Sequence, residues 1–309
     1  MSKISVIIPC YYNEHELPIT LQRLLDNEKE FPDNTLFEYV MVDDGSGDNT
    51  YAELLKHHVL YPEKIKVIKL VQNVGSYNAI TVGMKYATGN CCTVISADLQ
   101  DPPEIIQKMF AYWQKGVKLV IANRQDRNDP LMGKIFSTIF QYTFKKYALK
   151  RLPKGGYDFV LFDEILKQQV LDMKEKNTNI LYLLLWLGYD YVNIPYVRQA
   201  RAIGKSRWTV SKKIKLFIDS FVAFSYFPIR LISVLGLIMG ISALGYASFI
   251  IVGKLLGLVP VQGWSSLMIV ILFASSFQMI ALGIIGEYLW RTLDQVRNRP
   301  GYIIEKEHL

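Results

Sequence analysis

The sequence predicts an α/β domain with a mostly parallel sheet, followed by two membrane-spanning helices towards the carboxyl terminus. Short apolar segments alternate with helical patterns through the amino-terminal part of the chain. This alternation is typical of a parallel sheet with helices on both faces. Two later segments carry almost no charge, and each is long enough to cross the hydrocarbon core of a bilayer.

Five strands are predicted, at residues 4–8, 37–42, 65–70, 92–95 and 119–122. Four helices are predicted between them, near residues 17–29, 51–58, 76–87 and 103–114. Ligands of open parallel sheets bind beyond the carboxyl ends of the strands. The predicted binding edge is therefore formed by the loops that follow Ile8, Val42, Leu70 and Ile95.

Two transmembrane helices are predicted at about residues 229–253 and 266–290. The first holds one charged residue, Arg230, and the second holds only Glu287 near its end. Two buried helices of a soluble core are the alternative, but apolar runs of this length favour the membrane.

The charges that flank these helices predict how they are oriented. Lys254 is the only charge between them, whereas Arg291, Arg297 and Arg299 follow the second helix. By the positive-inside rule, both termini are expected on the cytoplasmic side of the cell membrane. No export signal is expected at the start, because Pro9 interrupts its short apolar stretch.

Basic amphipathic segments at residues 131–150 and 209–228 are expected to lie at the membrane surface. Ordinary core-facing helices are the alternative. The net charge of +7 fits an anionic membrane better than nucleic acid, because lysines and arginines cluster beside apolar stretches. The expected organisation is a cytoplasmic domain at 1–208, a juxtamembrane helix at 209–228, two spans within 229–290 and a cytoplasmic tail at 291–309.

Polar side chains fill the loops at the predicted binding edge. The loop after the first strand contains Tyr11, and the loop after the second contains Asp43 and Asp44. Carboxylates there could accept hydrogen bonds from the uracil and ribose of a nucleotide, and Tyr11 could stack on the base. By itself, however, an Asp-Asp-Gly-Ser sequence is also a common turn with a helix cap.

The loop after the fourth strand, from Ser96 to Pro103, offers oxygen ligands for a divalent cation. Asp98 with Gln100 or Asp101 could hold such a cation together with the diphosphate of a nucleotide. The alternative is a helix start, with Asp101 as the cap and a proline in the first turn. Both interpretations can hold together, with Asp101 structural and Asp98 chemical.

A series of short motifs extends along nearly the whole chain. They are Val6-Ile7-Ile8-Pro9, Asn13-Glu14, Val42-Asp43-Asp44-Gly45-Ser46, Ala97-Asp98-Leu99-Gln100-Asp101-Pro102-Pro103-Glu104, Gly156-Tyr157-Asp158-Phe159, Gly204-Lys205-Ser206-Arg207-Trp208 and Asn298-Arg299-Pro300-Gly301. In order and spacing they resemble the inverting family-2 glycosyltransferases, most closely the polyprenyl-phosphate branch. That branch includes dolichol-phosphate mannose synthases and bactoprenol glucosyltransferases, and the two-span tail resembles the latter more.

The resemblance implies a nucleotide-binding glycosyltransferase fold with a defined donor site. The residues implied to contact the donor nucleotide are Pro9, Tyr11, Glu14, Asp43, Asp44 and Asp98. Asp98 and Gln100 are implied to hold Mg²⁺ or Mn²⁺. Many members of the family carry an aspartate where this chain has Ser96, so that the cation has fewer carboxylates here.

The acceptor side is also implied by the resemblance. Arg124 is expected to bind the phosphate of a polyprenyl acceptor, because an anionic headgroup requires cationic side chains. A second basic cluster consists of Arg201, Lys205, Ser206 and Arg207. Asp158 is expected close to the reacting centre, either as a general base or as a group that orients the sugar or the arginines.

The implied function is transfer of a sugar from a UDP-sugar to undecaprenyl phosphate, with glucose suggested by the bactoprenol resemblance. Alternatives are GDP-sugar transfer, as in dolichol-phosphate mannose synthases, and a membrane-anchored sugar-nucleotide sensor or scaffold without catalytic activity. The expected partners are the nucleotide-sugar, the lipid and the membrane, without nucleic acid. The spacing of Gly236 and Gly240 is compatible with packing of the spans in a homo-oligomer.

Overall fold

The computed structural model describes residues 1–98, 100–124, 138, 141–153, 155–173, 175–176, 178–197, 210–256 and 263–309. For residues 210–216 and 264–265 it describes the backbone alone. The chain forms two compact units, of which one comprises Met1–Ser220 with Pro300–Leu309 and the other comprises Phe221–Arg299.

The described part of the first unit is built around an eight-stranded sheet. Its strands are β1 (Ser2–Cys10), β2 (Thr35–Asp43), β3 (Ile65–Leu70), β4 (Cys91–Val94), β5 (Leu119–Arg124), β6 (Phe159–Asp163), β7 (Tyr191–Tyr196) and β8 (Ile304–His308). Their spatial order is β7-β5-β6-β4-β1-β2-β3-β8. β6 runs antiparallel to β4 and β5, and β8 runs antiparallel to β3, whereas the other pairs are parallel. The predicted mostly parallel sheet is therefore confirmed.

Helices connect and cover these strands. They are α1 (Leu17–Glu28), α2 (Thr50–Leu60), α3 (Ser76–Tyr86), α4 (Ile105–Gln114), α5 (Glu164–Asp172), α6 (Ile180–Trp186), α7 (Val210–Phe224), α8 (Phe227–Leu255) and α9 (Trp264–Arg297). Residues 141–147 are also helical. The five strands and four helices predicted for the amino-terminal part are all present, with ends that differ by a few residues.

The core of the first unit lies on both faces of β1. Ile4, Val6, Ile7 and Ile8 are fully buried, which explains why this strand is mostly apolar rather than alternating. On one face α3 approaches so closely that a Cβ on Gly83 would lie 2.3 Å from Cγ2 of Ile7. A glycine at this position is therefore required by the packing of α3 onto the sheet.

A buried carboxylate, Glu38, ties together three parallel strands away from the predicted binding edge. Its Oε2 atom lies 2.7 Å from Nζ of Lys3 in β1 and 3.2 Å from Nζ of Lys66 in β3. Ser5 and Thr88 also donate hydrogen bonds to it. Burial alone would raise the pKa of Glu38, but these partners outweigh it and lower the pKa to about 2.

The described part of the second unit consists of α8 and α9, preceded by the end of α7. The helices Phe227–Leu255 and Ser266–Arg297 contain 18-residue stretches with mean hydropathies of 2.1 and 2.3, and both helices are long enough to cross a membrane. The two apolar carboxyl-terminal helices are thus confirmed as candidate membrane spans. One turn apart in α9, Glu287 and Arg291 form a 3.0 Å ion pair.

The last residues of the chain return to the first unit as its edge strand. β8 pairs with β3, and the Val71 N–H donates to the carbonyl of Ile303 at 3.0 Å. An ion pair of 2.8 Å joins Lys69 to Glu305 across the two strands. Residues that the sequence presented as a tail therefore include a strand that covers the β3 edge.

Candidate active site

One edge of the sheet collects the carboxyl ends of the parallel strands. β1 pairs in parallel with both β2 and β4, and Cys10 lies opposite Asp43 in that register. β6 runs in the opposite direction, so its amino end lies at this same edge. Asp158, which immediately precedes β6, is thereby placed on the edge that holds Asp98 and Arg124.

Asp43 ends β2, and its two carboxylate oxygens differ in their hydrogen bonding. The residue is fully buried, and its Oδ1 accepts a hydrogen bond of 3.1 Å from the N–H of Ser46. Its Oδ2 is buried and has no hydrogen-bond partner among the described residues. Burial raises the pKa of this carboxyl, and Ser46 offsets part of that shift. A buried acceptor of this kind requires a partner, which a ligand N–H or hydroxyl would supply.

Asp44, the next residue, is already occupied by the loop that leads into α3. Its Oδ1 accepts from the N–H of Val74 at 2.7 Å, and its Oδ2 accepts from the N–H of Gly75 at 3.0 Å and from Nδ2 of Asn73 at 2.9 Å. Burial is the main reason that the pKa of Asp44 is raised to about 6. Its contact with the donor nucleotide stays a prediction, whereas its bonds to the loop are structural.

The two donor loops are also tied to each other. The β2 loop also lies close to the loop after β3: a Cβ on Gly45 would lie 2.5 Å from the backbone of Gln72, and this glycine has a φ of +65°. The Tyr12 N–H donates to Oγ of Ser46 at 3.0 Å, and the Tyr12 ring lies over Gly47. These contacts fix the β1 and β2 loops against the start of α3.

The remaining donor residues predicted from the sequence lie in or beside the β1 loop. Pro9 is at the end of β1, and the Tyr11 ring packs edge-on against that of Tyr12 with centroids 4.7 Å apart. Glu14 accepts a hydrogen bond of 2.9 Å from the N–H of Asn49, just before α2. These residues are therefore gathered beside Asp43, and their contacts with a nucleotide stay predictions.

The loop after β4 brings two carboxylates to one serine. The hydroxyl oxygen of Ser96 lies 2.7 Å from Oδ1 of Asp98 and 3.3 Å from Oδ2 of Asp101. The N–H of Gln100 also points to Oδ1 of Asp98, at 3.3 Å. Ser96 lacks the carboxylate that many family members carry at this position, but its hydroxyl connects the carboxylates of Asp98 and Asp101.

The alternative interpretation of Asp101 as a helix cap is wrong. α4 begins at Ile105 after Glu104, and the side chain of Asp101 points instead into the protein. Asp101 is 3% exposed and accepts a hydrogen bond from the hydroxyl of Tyr196 at the end of β7. A tertiary partner has replaced the local capping interaction, because a buried carboxylate needs strong donors.

The described residues contain no group of three or more His, Cys, Asp or Glu side chains that could hold a metal ion by themselves. The donors that are present are hard oxygen atoms, namely the carboxylate of Asp98 and the side-chain amide of Gln100. Such a set fits Mg²⁺ or Mn²⁺ when the diphosphate of a ligand completes the coordination.

Arg124 and Asp158 form an ion pair at the other end of this edge. The Arg124 side chain is 18% exposed, and that of Asp158 is 55% exposed. Burial alone would lower the pKa of Arg124, but Asp158 and Tyr196 outweigh it and the pKa is raised. The guanidinium is therefore a permanent charge with one face turned towards an exposed carboxylate.

The second predicted basic cluster, Arg201, Lys205, Ser206 and Arg207, lies outside the described residues. The same is true of most of the amphipathic segment at 131–150, of which residues 138 and 141–147 are helical.

Two tyrosines at this edge were not identified from the sequence. Tyr196 touches Asp101 and Arg124, and Tyr77 in the first turn of α3 is hydrogen-bonded to Asn179 near Asp158. Burial keeps the pKa of both phenols above its usual value. The start of the predicted helix α3 on the binding edge was an available signal for Tyr77, whereas β7 was not predicted and gave no such signal for Tyr196.

The carboxyl edge of this mostly parallel sheet holds a buried hydrogen-bond acceptor, a candidate cation loop and an arginine–aspartate pair. This arrangement is typical of α/β enzymes that bind nucleotides. The chain belongs to glycosyl transferase family 2, whose family model matches residues 5–172. It is a glycosyltransferase.

Several relatives match over almost the whole chain. An uncharacterized glycosyltransferase of Bacillus subtilis, YkcC, is 34% identical over 98% of this chain and 94% of its own. A bactoprenol glucosyl transferase of Shigella flexneri, derived from prophage SfII, is 30% identical over 99% and 98%. An undecaprenyl-phosphate 4-deoxy-4-formamido-L-arabinose transferase of Photorhabdus laumondii is 31% identical over 99% and 94%.

Among solved structures, the mannosyltransferase PcManGT of Pyrobaculum calidifontis, in complex with GDP-Man and Mn²⁺, aligns over 94% of this chain and 87% of its own. The TM-score is 0.48 and the identity is 18%, a similarity too low to support an argument about ligands.

Proposed function

We propose that this protein transfers a sugar from a UDP-sugar to undecaprenyl phosphate at the cytoplasmic face of the cell membrane. The observation that carries the proposal is the match, over nearly the full length and both apolar helices, to transferases named for bactoprenol and undecaprenyl phosphate. The site is consistent with this reaction. One edge of the sheet holds both the buried Asp43 oxygen, which can accept a hydrogen bond from a nucleotide, and the Arg124 guanidinium, which can bind a phosphate.

In the proposed reaction an oxygen of the lipid phosphate attacks the anomeric carbon of the sugar. The bond from that carbon to the nucleoside diphosphate breaks, and the diphosphate leaves with the electron pair, which inverts the configuration. The acceptor phosphate is already ionised at neutral pH, so little proton abstraction is required. Asp158 then serves to orient Arg124 and the sugar rather than to remove a proton.

Each end of the binding edge has its own proposed role. Asp43 accepts from the nucleotide base, and Tyr11, Pro9 and Glu14 complete its surroundings. Asp98 and Gln100 would hold a divalent cation, which neutralises the charge on the departing diphosphate. Arg124 binds the acceptor phosphate, because its planar guanidinium matches two phosphate oxygens.

The sugar is less well supported than the acceptor. Two of the relatives carry a polyprenyl acceptor in their names, bactoprenol in one and undecaprenyl phosphate in the other, but the first is named for glucose and the second for a modified arabinose. Glucose is the sugar we propose, and a donor panel that includes GDP-sugars is needed to test it.

We further propose that both termini lie in the cytoplasm. β8 pairs with β3, so residues 300–309 fold in the same unit as residues 1–220. A chain that leaves this unit through α8 and returns to it after α9 crosses the membrane an even number of times. Two crossings satisfy both this constraint and the positive charges after α9.

The test is transfer of radiolabelled sugar from a panel of UDP- and GDP-sugars into an undecaprenyl-phosphate fraction, with and without Mg²⁺ or Mn²⁺. Cation-dependent label in the lipid from one donor is expected, and Asp98→Ala should abolish it. Folded protein that binds UDP but labels no lipid from any donor would refute transfer and would favour a sugar-nucleotide sensor.

A further inference from the structure

A path of contacting side chains connects the two ends of the binding edge. Asp98 and Asp101 share the hydroxyl of Ser96, and Asp101 accepts from the hydroxyl of Tyr196. Tyr196 is also hydrogen-bonded to Arg124, which is paired with Asp158. In order along the path, the residues are Asp98, Ser96, Asp101, Tyr196, Arg124 and Asp158. We call this set the edge path.

The sheet register explains why the path exists. β5 and β7 are parallel neighbours, and Arg124 lies directly opposite Tyr196 in their pairing. Paired residues of parallel strands project from the same face, so the guanidinium and the phenol are brought together. The ring of Tyr196 packs edge-on against fully buried Phe159, with centroids 6.1 Å apart, which fixes where its hydroxyl points.

In the edge path, the neutral hydroxyl groups of Ser96 and Tyr196 lie between charged side chains and connect them by hydrogen bonds. The Tyr196 hydroxyl donates a hydrogen bond to Asp101 and accepts one from Arg124 with its lone pairs. The Ser96 hydroxyl has one proton, which either carboxylate beside it can accept. An aspartate at position 96 would instead place a third carboxylate against these two, which like-charge repulsion disfavours.

We propose that Tyr196 is a positioning residue that holds Arg124 in register with the Asp98 loop, so that the acceptor clamp and the donor loop are oriented together. The proposal rests on the proposed function, because it takes Arg124 as the contact to the acceptor phosphate. Ser96 completes the link at the donor end. Neither residue touches the reacting atoms.

The first test is Tyr196→Phe, which keeps the ring against Phe159 and removes only the hydroxyl. KM for undecaprenyl phosphate is expected to rise about tenfold, with a change below about threefold in KM for the nucleotide-sugar, because one bond to a charged group is lost. The thermal midpoint is expected to fall as well, because buried Asp101 loses one of its donors. The selective rise in KM for the lipid is the readout that a merely structural role would not predict.

The matched control is Tyr191→Phe, at the other end of the same strand. Its hydroxyl donates to the carbonyl of Arg151 at 2.8 Å, outside the edge path. This variant also loses one tyrosine hydroxyl bond, but both KM values are expected to match those of the wild type.

The second test is a double-variant cycle between Ser96→Ala and Tyr196→Phe. If both residues act through one path, the double variant loses no more kcat/KM than the more affected single variant, about tenfold. Losses that multiply, or an unchanged acceptor KM in Tyr196→Phe, would overturn the positioning role alone. A wild-type protein that labels no lipid would overturn the proposed function and this inference together.

Discussion

The loop after β2 and the cluster where β4, β5, β6 and β7 meet differ in where their carboxylates find partners. Asp43 and Asp44 are bound by nearby loop groups, mostly backbone N–H groups of residues 46 and 74–75. In the second region, Asp101 and Asp158 are bound by side chains of Tyr196 and Arg124, which come from separate strands. The first region is thus built from loops, and the second is built from strand order.

The difference teaches that adjacent acidic residues need not share a role. Asp43 keeps a buried oxygen without a protein partner among the described residues, whereas both oxygens of Asp44 are used by the Asn73–Gly75 loop. Partner type matters as well, because Asp44 has neutral N–H donors and a pKa of about 6, while Glu38 has two lysines and a pKa of about 2. Each contrast gives a variant with a distinct readout.

The largest effect is expected from breaking the second region at Asp158. Asp158→Asn removes the charge that is paired with Arg124, and kcat/KM for lipid transfer should fall about 1,000-fold, because Arg124 and the sugar lose the group that orients them. UDP affinity, measured by calorimetry, should change less than about threefold. An equal loss of UDP affinity would contradict the separation of the two regions.

The next effect concerns Glu38, a structural carboxylate outside both regions. Its folded pKa of about 2 lies below its usual value of 4.5, so its stabilisation is fully present above pH 4.5 and is lost as the pH falls towards 2. Glu38→Gln should therefore lower the free energy of unfolding by about 3 kcal/mol at pH 7 and by much less near pH 2. Denaturant unfolding at several pH values measures this, and a pH-independent loss would contradict it.

Asp44→Asn tests the claim that Asp44 holds its loop. An amide group would turn N–H donors towards the N–H groups of Val74 or Gly75, and about 2 kcal/mol of unfolding free energy should be lost at pH 7. In the wild-type protein, the contribution of Asp44 to stability changes with pH in the opposite direction to that of Glu38. Because the folded pKa is raised to about 6, the contribution of Asp44 to stability falls as the pH rises from about 4 to 6, and this slope should be absent in the variant.

The smallest effect is expected from Asp43→Asn, the same type of substitution in the neighbouring residue. Asp43→Asn replaces one carboxylate oxygen by an amide that cannot accept, so UDP affinity should weaken about tenfold in calorimetry. Its thermal midpoint should fall less than that of Asp44→Asn, because an oxygen remains for Ser46. Similar losses of stability in the two variants would contradict the different roles proposed for Asp43 and Asp44.

Sequence patterns predicted β1 to β5, because short, mostly apolar segments such as those of β1 and β2 lie between turn residues. They did not predict β6, β7 and β8, although β6 is a fully buried and mostly apolar strand. β7 is largely half-exposed and contains Pro195, and β8 is a charged edge strand that reads Ile-Glu-Lys-Glu-His. Edge strands lack the apolar pattern on which such predictions depend.

The sequence by itself determined which polar residues follow each strand, and hence that Asp43, Asp98 and Arg124 lie at one edge. Only the tertiary structure decided which of them meet. The reversed direction of β6 brings Asp158 to Arg124, and the pairing of β5 with β7 brings Tyr196 to both Arg124 and Asp101. Strand order and direction arise from pairing between distant segments, and no local pattern of residues encodes them.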